Sequence, residues 1–149
     1  MEFNGLPLHV LAVHAAVVLG PLSALIGLAY ALVPRYRDRL RWVTLVAVLV
    51  AGVAIWVAYL SGESFLDSGR FSGLQGEARE KIEKHEEYAD TLRLLATGFA
   101  VVTVVAAWLH RRPGAVRYAL SALVAVGAVL TLVWTVLTGD AGAQAVWGS

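Results

Sequence analysis

The sequence has no cysteine and a single methionine, Met1. That excludes a disulfide-stapled fold, thiolate metal sites, Cu(I) transport through soft ligands and haem attached covalently through paired cysteines. Charge is also scarce. Only 15% of the 149 residues are Asp, Glu, Lys or Arg, and the formal net charge is +1. A soluble domain carries roughly 25% charged residues, and a nucleic-acid binder shows a marked basic excess. No nucleic-acid partner is therefore expected. Disorder is excluded by the 58% hydrophobic content. No serine-nucleophile motif, phosphate-binding loop or dinucleotide fingerprint is present, so the residues lean away from an enzyme. The long apolar runs do not alternate with polar residues, which argues against a β-barrel.

What the chain does have is four long hydrophobic runs and a mean hydropathy of +0.68. A membrane-spanning helix needs about 20 mostly apolar residues. The runs cover about Leu6 to Val33, Trp42 to Leu60, Ala89 to Leu109 and Val116 to Thr138. They predict an all-α fold, a four-helix transmembrane bundle embedded in the lipid bilayer as one domain over 1–149. Gly20, Gly27, Gly52, Gly98 and Gly127 fall inside the runs, where small residues let helices approach closely. The first run lacks a basic leader and a small-residue cleavage site, so it reads as a span rather than a secretory signal.

Basic residues orient the bundle. Arg35, Arg37, Arg39 and Arg41 lie between the first two runs, and Arg111, Arg112 and Arg117 between the last two. These links hold seven of the twelve basic residues and one acid, Asp38. The positive-inside rule places both links in the cytoplasm. The N and C termini and the acidic segment 61–88 are then extracytoplasmic, as in a multi-pass protein of a bacterial inner membrane. Residues 61–76 are rich in Gly and Ser and read as irregular, whereas the stretch from Glu77 reads as a protruding helix with Glu/Lys pairs three and four apart.

The two halves match at an offset near 76. His9 falls on His85, Arg35–Arg37 on Arg111–Arg112, and Ser61-Gly62-Glu63 on Thr138-Gly139-Asp140. This predicts a pseudo-twofold repeat of two helical hairpins about an axis along the membrane normal. Counting about 1.5 Å per residue from the basic turns puts His9, Glu63, His85, Glu86 and Asp140 in one layer at the outer rim. His14 lies about a turn and a half deeper, near Asp90, Thr91 and Arg93. His110, beside Arg111 and Arg112, reads as an interfacial residue, and the five tryptophans as an interfacial belt.

An ionisable group inside a membrane helix is a functional candidate by default. Two histidines on facing helices can ligate a haem iron from both sides. Three with a carboxylate can hold a non-haem transition metal. His9 and His14 lie five residues apart, about 140° around a helix, so they do not point at one ion together. The leading expectation is b-type haem on His85 with His9 or His14 opposite, Arg93 pairing a propionate, and Glu86 or Asp140 orienting an imidazole. The alternatives are a non-haem metal on His9, His14 and His85 with Asp140, Glu86 or Glu63, or a cofactor-free structural subunit of a larger membrane complex. In that last case the histidines only hydrogen-bond between helices.

Pro7-Leu8-His9-Val10-Leu11-Ala12-Val13-His14 resembles the opening of a bacterial four-helix membrane family of unknown function, whose pattern is His-Pro-x-x-Val-His-Phe-Pro. The pair His85-Glu86 and the closing Thr138-Gly139-Asp140-Ala141-Gly142-Ala143 fit that family too, whose closing motif is similar to Thr-Gly-His-x-Gly-Gly. Here Val10 stands for the proline, Ala15 and Ala16 for Phe-Pro, and Asp140 for the last histidine. That last change removes a fourth imidazole. Fusions of relatives to cytochrome c or Rieske-type modules imply a redox setting, with electron transfer to a respiratory or redox protein partner. A homo-oligomer stays open.

Overall fold

The computed structural model describes residues 2–3, 6–69, 73 and 75–148. Four helices account for nearly all of them: α1, Leu8–Leu32; α2, Arg37–Leu66; α3, Glu77–Trp108; and α4, Ala115–Trp147. Each is long and apolar enough to cross a membrane. A two-residue antiparallel pairing, Glu2–Phe3 with Leu6–Pro7, precedes α1, and a 3-10 turn at Pro34–Tyr36 joins α1 to α2. Gly76 (φ +64°) and Gly114 (φ +70°) stand immediately before α3 and α4, in a left-handed conformation that a side chain disfavours.

The helices form a ring. α1 packs on α2 and α4, and α3 packs on the same two. α1 and α3 therefore face each other across the bundle axis. Buried positions recur between the halves with two distinct offsets. On α1 and α3 the offset is 76: Ala16 matches Leu92, Gly20 matches Ala96 and Gly27 matches Thr103. On α2 and α4 it is 80: Val48 matches Ala128, Ala51 matches Thr131, Ile55 matches Thr135 and Ala58 matches Thr138. The link after α3 is longer than the link after α1, which shifts the fourth helix relative to its repeat. Gly62 is thus equivalent to Gly142, not to Gly139, the match that a single offset implies.

The sequence predicts irregular chain from Ser61, but α2 runs on to Leu66. The Ser61 hydroxyl donates to the Val57 carbonyl at 2.6 Å, a bond within the helix, so the Ser-Gly-Glu triplet does not end it. Positions 70–72 and 74 of that segment lie outside the described residues. α4 likewise continues past Thr138 to Trp147. α3, with 32 residues, is roughly 48 Å long against roughly 30 Å of hydrocarbon. The surplus of α2, α3 and α4 extends at the end that carries His9 and His85.

Two apolar clusters fill the ring. One holds Ala12, Ala16, Ile55, Ala58, Leu92 and Ala96 near the histidines. The other holds Tyr30, Val48, Phe99, Leu120, Val124 and Ala128 toward the arginine-rich turns. Not every glycine serves close approach. Gly20, Gly27 and Gly127 lie against Thr135 or Phe99, whereas Gly52 and Gly98 have nothing within 4 Å of a built Cβ and lie on the outer surface.

Candidate functional site: two imidazoles on the bundle axis

His9 enters on the first turn of α1, and His85 two turns into α3. Each ring leans on the next helix in the ring. His9 Nδ1–H donates to the Ala58 carbonyl of α2 at 2.8 Å, and His85 Nδ1–H donates to the Thr138 carbonyl of α4 at 3.0 Å. A carbonyl only accepts, so both Nδ1 atoms carry a proton, and the lone pair of the uncharged form of either ring is then on Nε2. The two acceptors occupy equivalent positions of the repeat.

Two glycines make this possible. A Cβ at Gly62 would stand 3.0 Å from His9 Cε1, and one at Gly142 would stand 3.0 Å from His85 Cε1. Without side chains there, each imidazole lies flat on its neighbour helix. The rings meet edge to face, 6.2 Å apart between centres and inclined by 70°. Phe65, near the end of α2, stacks with the His9 ring, centres 6.4 Å apart and 23° from parallel. Below the pair, the Trp134 indole packs on the apolar cluster near the histidines, with Nε1–H buried and without an acceptor.

The other predicted ligands stand elsewhere. His14 is exposed on the outside of α1 and donates Nδ1–H to its own Val10 carbonyl at 2.6 Å. Glu86 is exposed. Asp140 is exposed and accepts from the Gln144 amide at 2.6 Å. Glu63 accepts from the Tyr59 hydroxyl at 2.8 Å. No group of three or more His, Asp or Glu suited to one metal forms among the described residues. The backbone carbonyls, not Glu86 or Asp140, orient the imidazoles. Each residue along a helix turns the side chain by about 100°, so residues near one level need not share a face.

Arg93 belongs to a separate network across the α2–α3 seam. Its Nε and Nη2 lie 3.0 and 2.9 Å from Asp90 Oδ1. Its guanidinium covers the Tyr59 ring at 4.4 Å. The Tyr59 hydroxyl lies 2.9 Å from the same Asp90 oxygen, and Trp56 Nε1–H donates to Thr97 Oγ1 at 2.9 Å. Nothing in the sequence singles out Tyr59 and Trp56, since both also suit an aromatic belt.

The opposite end of the bundle breaks the twofold. His110, in the link after α3, has a side chain only 8% exposed, and Nε2–H donates to Asp38 Oδ1 at 2.6 Å. Its Nδ1 meets the Tyr30 hydroxyl at 3.1 Å. Asp38 lies before the apolar stretch of α2. The hydrogen bond from His110 is the main cause holding its carboxyl below the ordinary range, with Arg37 and Arg111 adding to it.

The family model described as "Predicted membrane protein (DUF2231)" matches residues 5–149, so the chain belongs to that family. Neither a curated protein nor a solved structure matches the chain.

Proposed function

We propose that the histidine pair is a two-point ligand set for one b-type haem iron, and that the chain serves as a small membrane electron-transfer subunit. The observation that carries this reading is the 6.2 Å separation of two imidazoles contributed by helices on opposite sides of the ring. Rings that near to one another, on opposite helices, would be His9 and His85 holding a single iron between them. The donor chemistry agrees. Both rings present Nε2 while Nδ1–H is fixed by a backbone carbonyl, the arrangement that sets the tautomer and raises the basicity of a metal-bound histidine. Two neutral imidazoles suit an iron whose other positions a macrocycle fills. A non-haem ion would need further protein ligands, and those candidates stand apart. The orphaned Trp134 Nε1–H offers a donor for a polar group in the same region.

In this reading the bound haem supplies a one-electron couple. His9 and His85 hold its iron, and Gly62 and Gly142 allow the rings their position. Phe65 stacks with His9. The arginine-rich turns face the cytoplasm, so the site lies near the extracytoplasmic surface of the membrane.

A second reading rests on the same hydrogen bonds. Each histidine already joins two helices, so the pair can serve structure alone, in an accessory subunit without a cofactor. An absorption spectrum of the purified protein, before and after loading with haemin, separates the two. The first predicts a Soret band that shifts on dithionite reduction, is lost in both H9A and H85A, and persists in H14A. A folded protein that takes up no haem overturns it and leaves the second.

A further inference from the structure

We infer that the arginine end of the bundle binds the headgroup phosphate of an anionic phospholipid, with one acyl chain lying in the groove between α1 and α2. Arg37 is the starting point. It is 5% exposed, and its Nε and Nη2 are buried without an acceptor. One turn along α2, the Arg41 Nε is buried and unpartnered as well. A buried cation without its counter-charge is strongly destabilising. The acid adjacent in sequence does not answer it: Asp38 is 95% exposed and accepts from His110. The Tyr30 ring lies 5.4 Å from the Arg37 guanidinium. An aromatic face attracts the charge but accepts none of the in-plane N–H bonds. Asp38 lends Arg37 some charge at a distance but no hydrogen bond, so two guanidiniums on one helix with unpartnered buried nitrogens call for an external anion. Phosphate matches the planar fork of Arg.

The groove decides what carries that phosphate. Arg41 stacks on Trp42 at 4.5 Å. Trp42 also lines a lateral groove of about 530 Å³, together with Leu19, Leu22, Val43, Val46 and Val50. From Trp42 to Val50 the groove climbs about 12 Å along α2, close to the roughly 15 Å depth of one leaflet. The positive charge therefore sits at headgroup level and the apolar trough runs from it toward the midplane, which is the layout of one phospholipid. A basic pocket between spans is a recognised headgroup site. A free anion would have no use for the trough, and a zwitterionic lipid brings its own cation beside the phosphate.

The test uses the whole chain in phosphatidylcholine nanodiscs doped with a small share of chain-brominated lipid, a quencher of tryptophan. Brominated phosphatidylglycerol should quench more than brominated phosphatidylcholine, and the excess should vanish in W42F. R37Q and R41Q should each weaken the phosphatidylglycerol response about fivefold, the effect expected per basic side chain at a membrane surface. V46F, which fills the trough and keeps both arginines, should weaken it too. Equal quenching by the two lipids overturns the proposal. So does an unchanged response in V46F and in a folded R37Q or R41Q. Loss of the excess on adding millimolar inorganic phosphate would assign the arginines to a free anion, and overturns it as well.

Discussion

Tyr30 and His110 lie face to face, ring centres 5.9 Å apart and 28° from parallel, with the Tyr30 hydroxyl 3.1 Å from His110 Nδ1. The hydroxyl has one proton and two neighbours, since the Ala106 carbonyl is 3.3 Å away. Whichever it serves, His110 Nε2–H still donates to Asp38. The chain of bonds runs from a buried phenol to an exposed carboxylate and ties α1, α3 and the start of α2 together. Y30F removes the phenol's part of it and leaves the ring stack. Its unfolding midpoint in SDS titration should fall by about 1 kcal/mol. Y36F, on an exposed side chain, should leave the midpoint where it is.

Asp38 makes the same cluster sensitive to acid. Its folded carboxyl is held below the ordinary range by the bond from His110. A depressed pKa means stability that is present above the unfolded value of about 3.9 and is lost as pH falls through the folded one. The difference in SDS midpoint between the wild type and D38N should therefore be constant above about pH 4 and shrink below it. No difference between the two proteins above about pH 4 would show that the carboxylate does not stabilise the fold.

Phe99 governs packing at mid-bundle. It is 2% exposed, and a Cβ at Gly27 would come within 2.7 Å of its Cζ. A Cβ at Gly127 would meet its Cδ2 at 3.0 Å. Overpacking such a site costs about 1–3 kcal/mol, so G27A should lower the SDS midpoint by that amount, and F99L in the same chain should restore part of it. G52A is the control. Nothing lies within 4 Å of its built Cβ, and replacing a helical glycine by alanine gains up to about 1 kcal/mol.

The α2–α3 seam depends on one oxygen. Asp90 Oδ1 receives Arg93 through two nitrogens and shares the single Tyr59 hydroxyl proton with Glu63. D90N keeps the shape but removes the charge that assembles these groups. Its SDS midpoint should drop by about 1–2 kcal/mol, because hydrogen bonds to a charged group are worth more than neutral ones. R93Q in the D90N background should add little, since the two substitutions break the same contact. Full additivity would mean that the two side chains act independently.

The four spans, the repeat and the approach of His9 to His85 were legible because length, apolar content and residue count along a helix are properties of the sequence itself. Position around the helix was not. His14, Glu63, Glu86 and Asp140 lie near the right level but point away. A helix that is apolar toward lipid and toward the core alike carries little sign of which side is inside. The acceptors of the two imidazoles were hidden for a different reason: they are backbone carbonyls of Ala58 and Thr138, which no side-chain motif reveals. The helical continuation through Ser61-Gly62-Glu63 was missed because small polar residues read as a turn in water, yet a hydroxyl can bond back to its own helix. The bond of His110 to Tyr30 was hidden because its partner lies eighty residues earlier in the chain.

The paired glycines permit a test of the repeat itself. Gly62 and Gly142 are twofold equivalents, and each backs one imidazole at the same 3.0 Å from a built Cβ to Cε1. A methyl group at that distance forces the ring to shift by a few tenths of an ångström, which loosens its Nδ1–H bond to the neighbouring carbonyl. Imidazole NMR should show two slowly exchanging Nδ1–H protons in the wild type, one for each bond. G62A should perturb the His9 signal and spare that of His85, and G142A should do the reverse, because each glycine touches one ring alone. The edge-to-face contact between the rings passes on only a small secondary shift. If either substitution moved both signals equally, the imidazoles would be coupled as one rigid unit rather than held separately by two hairpins.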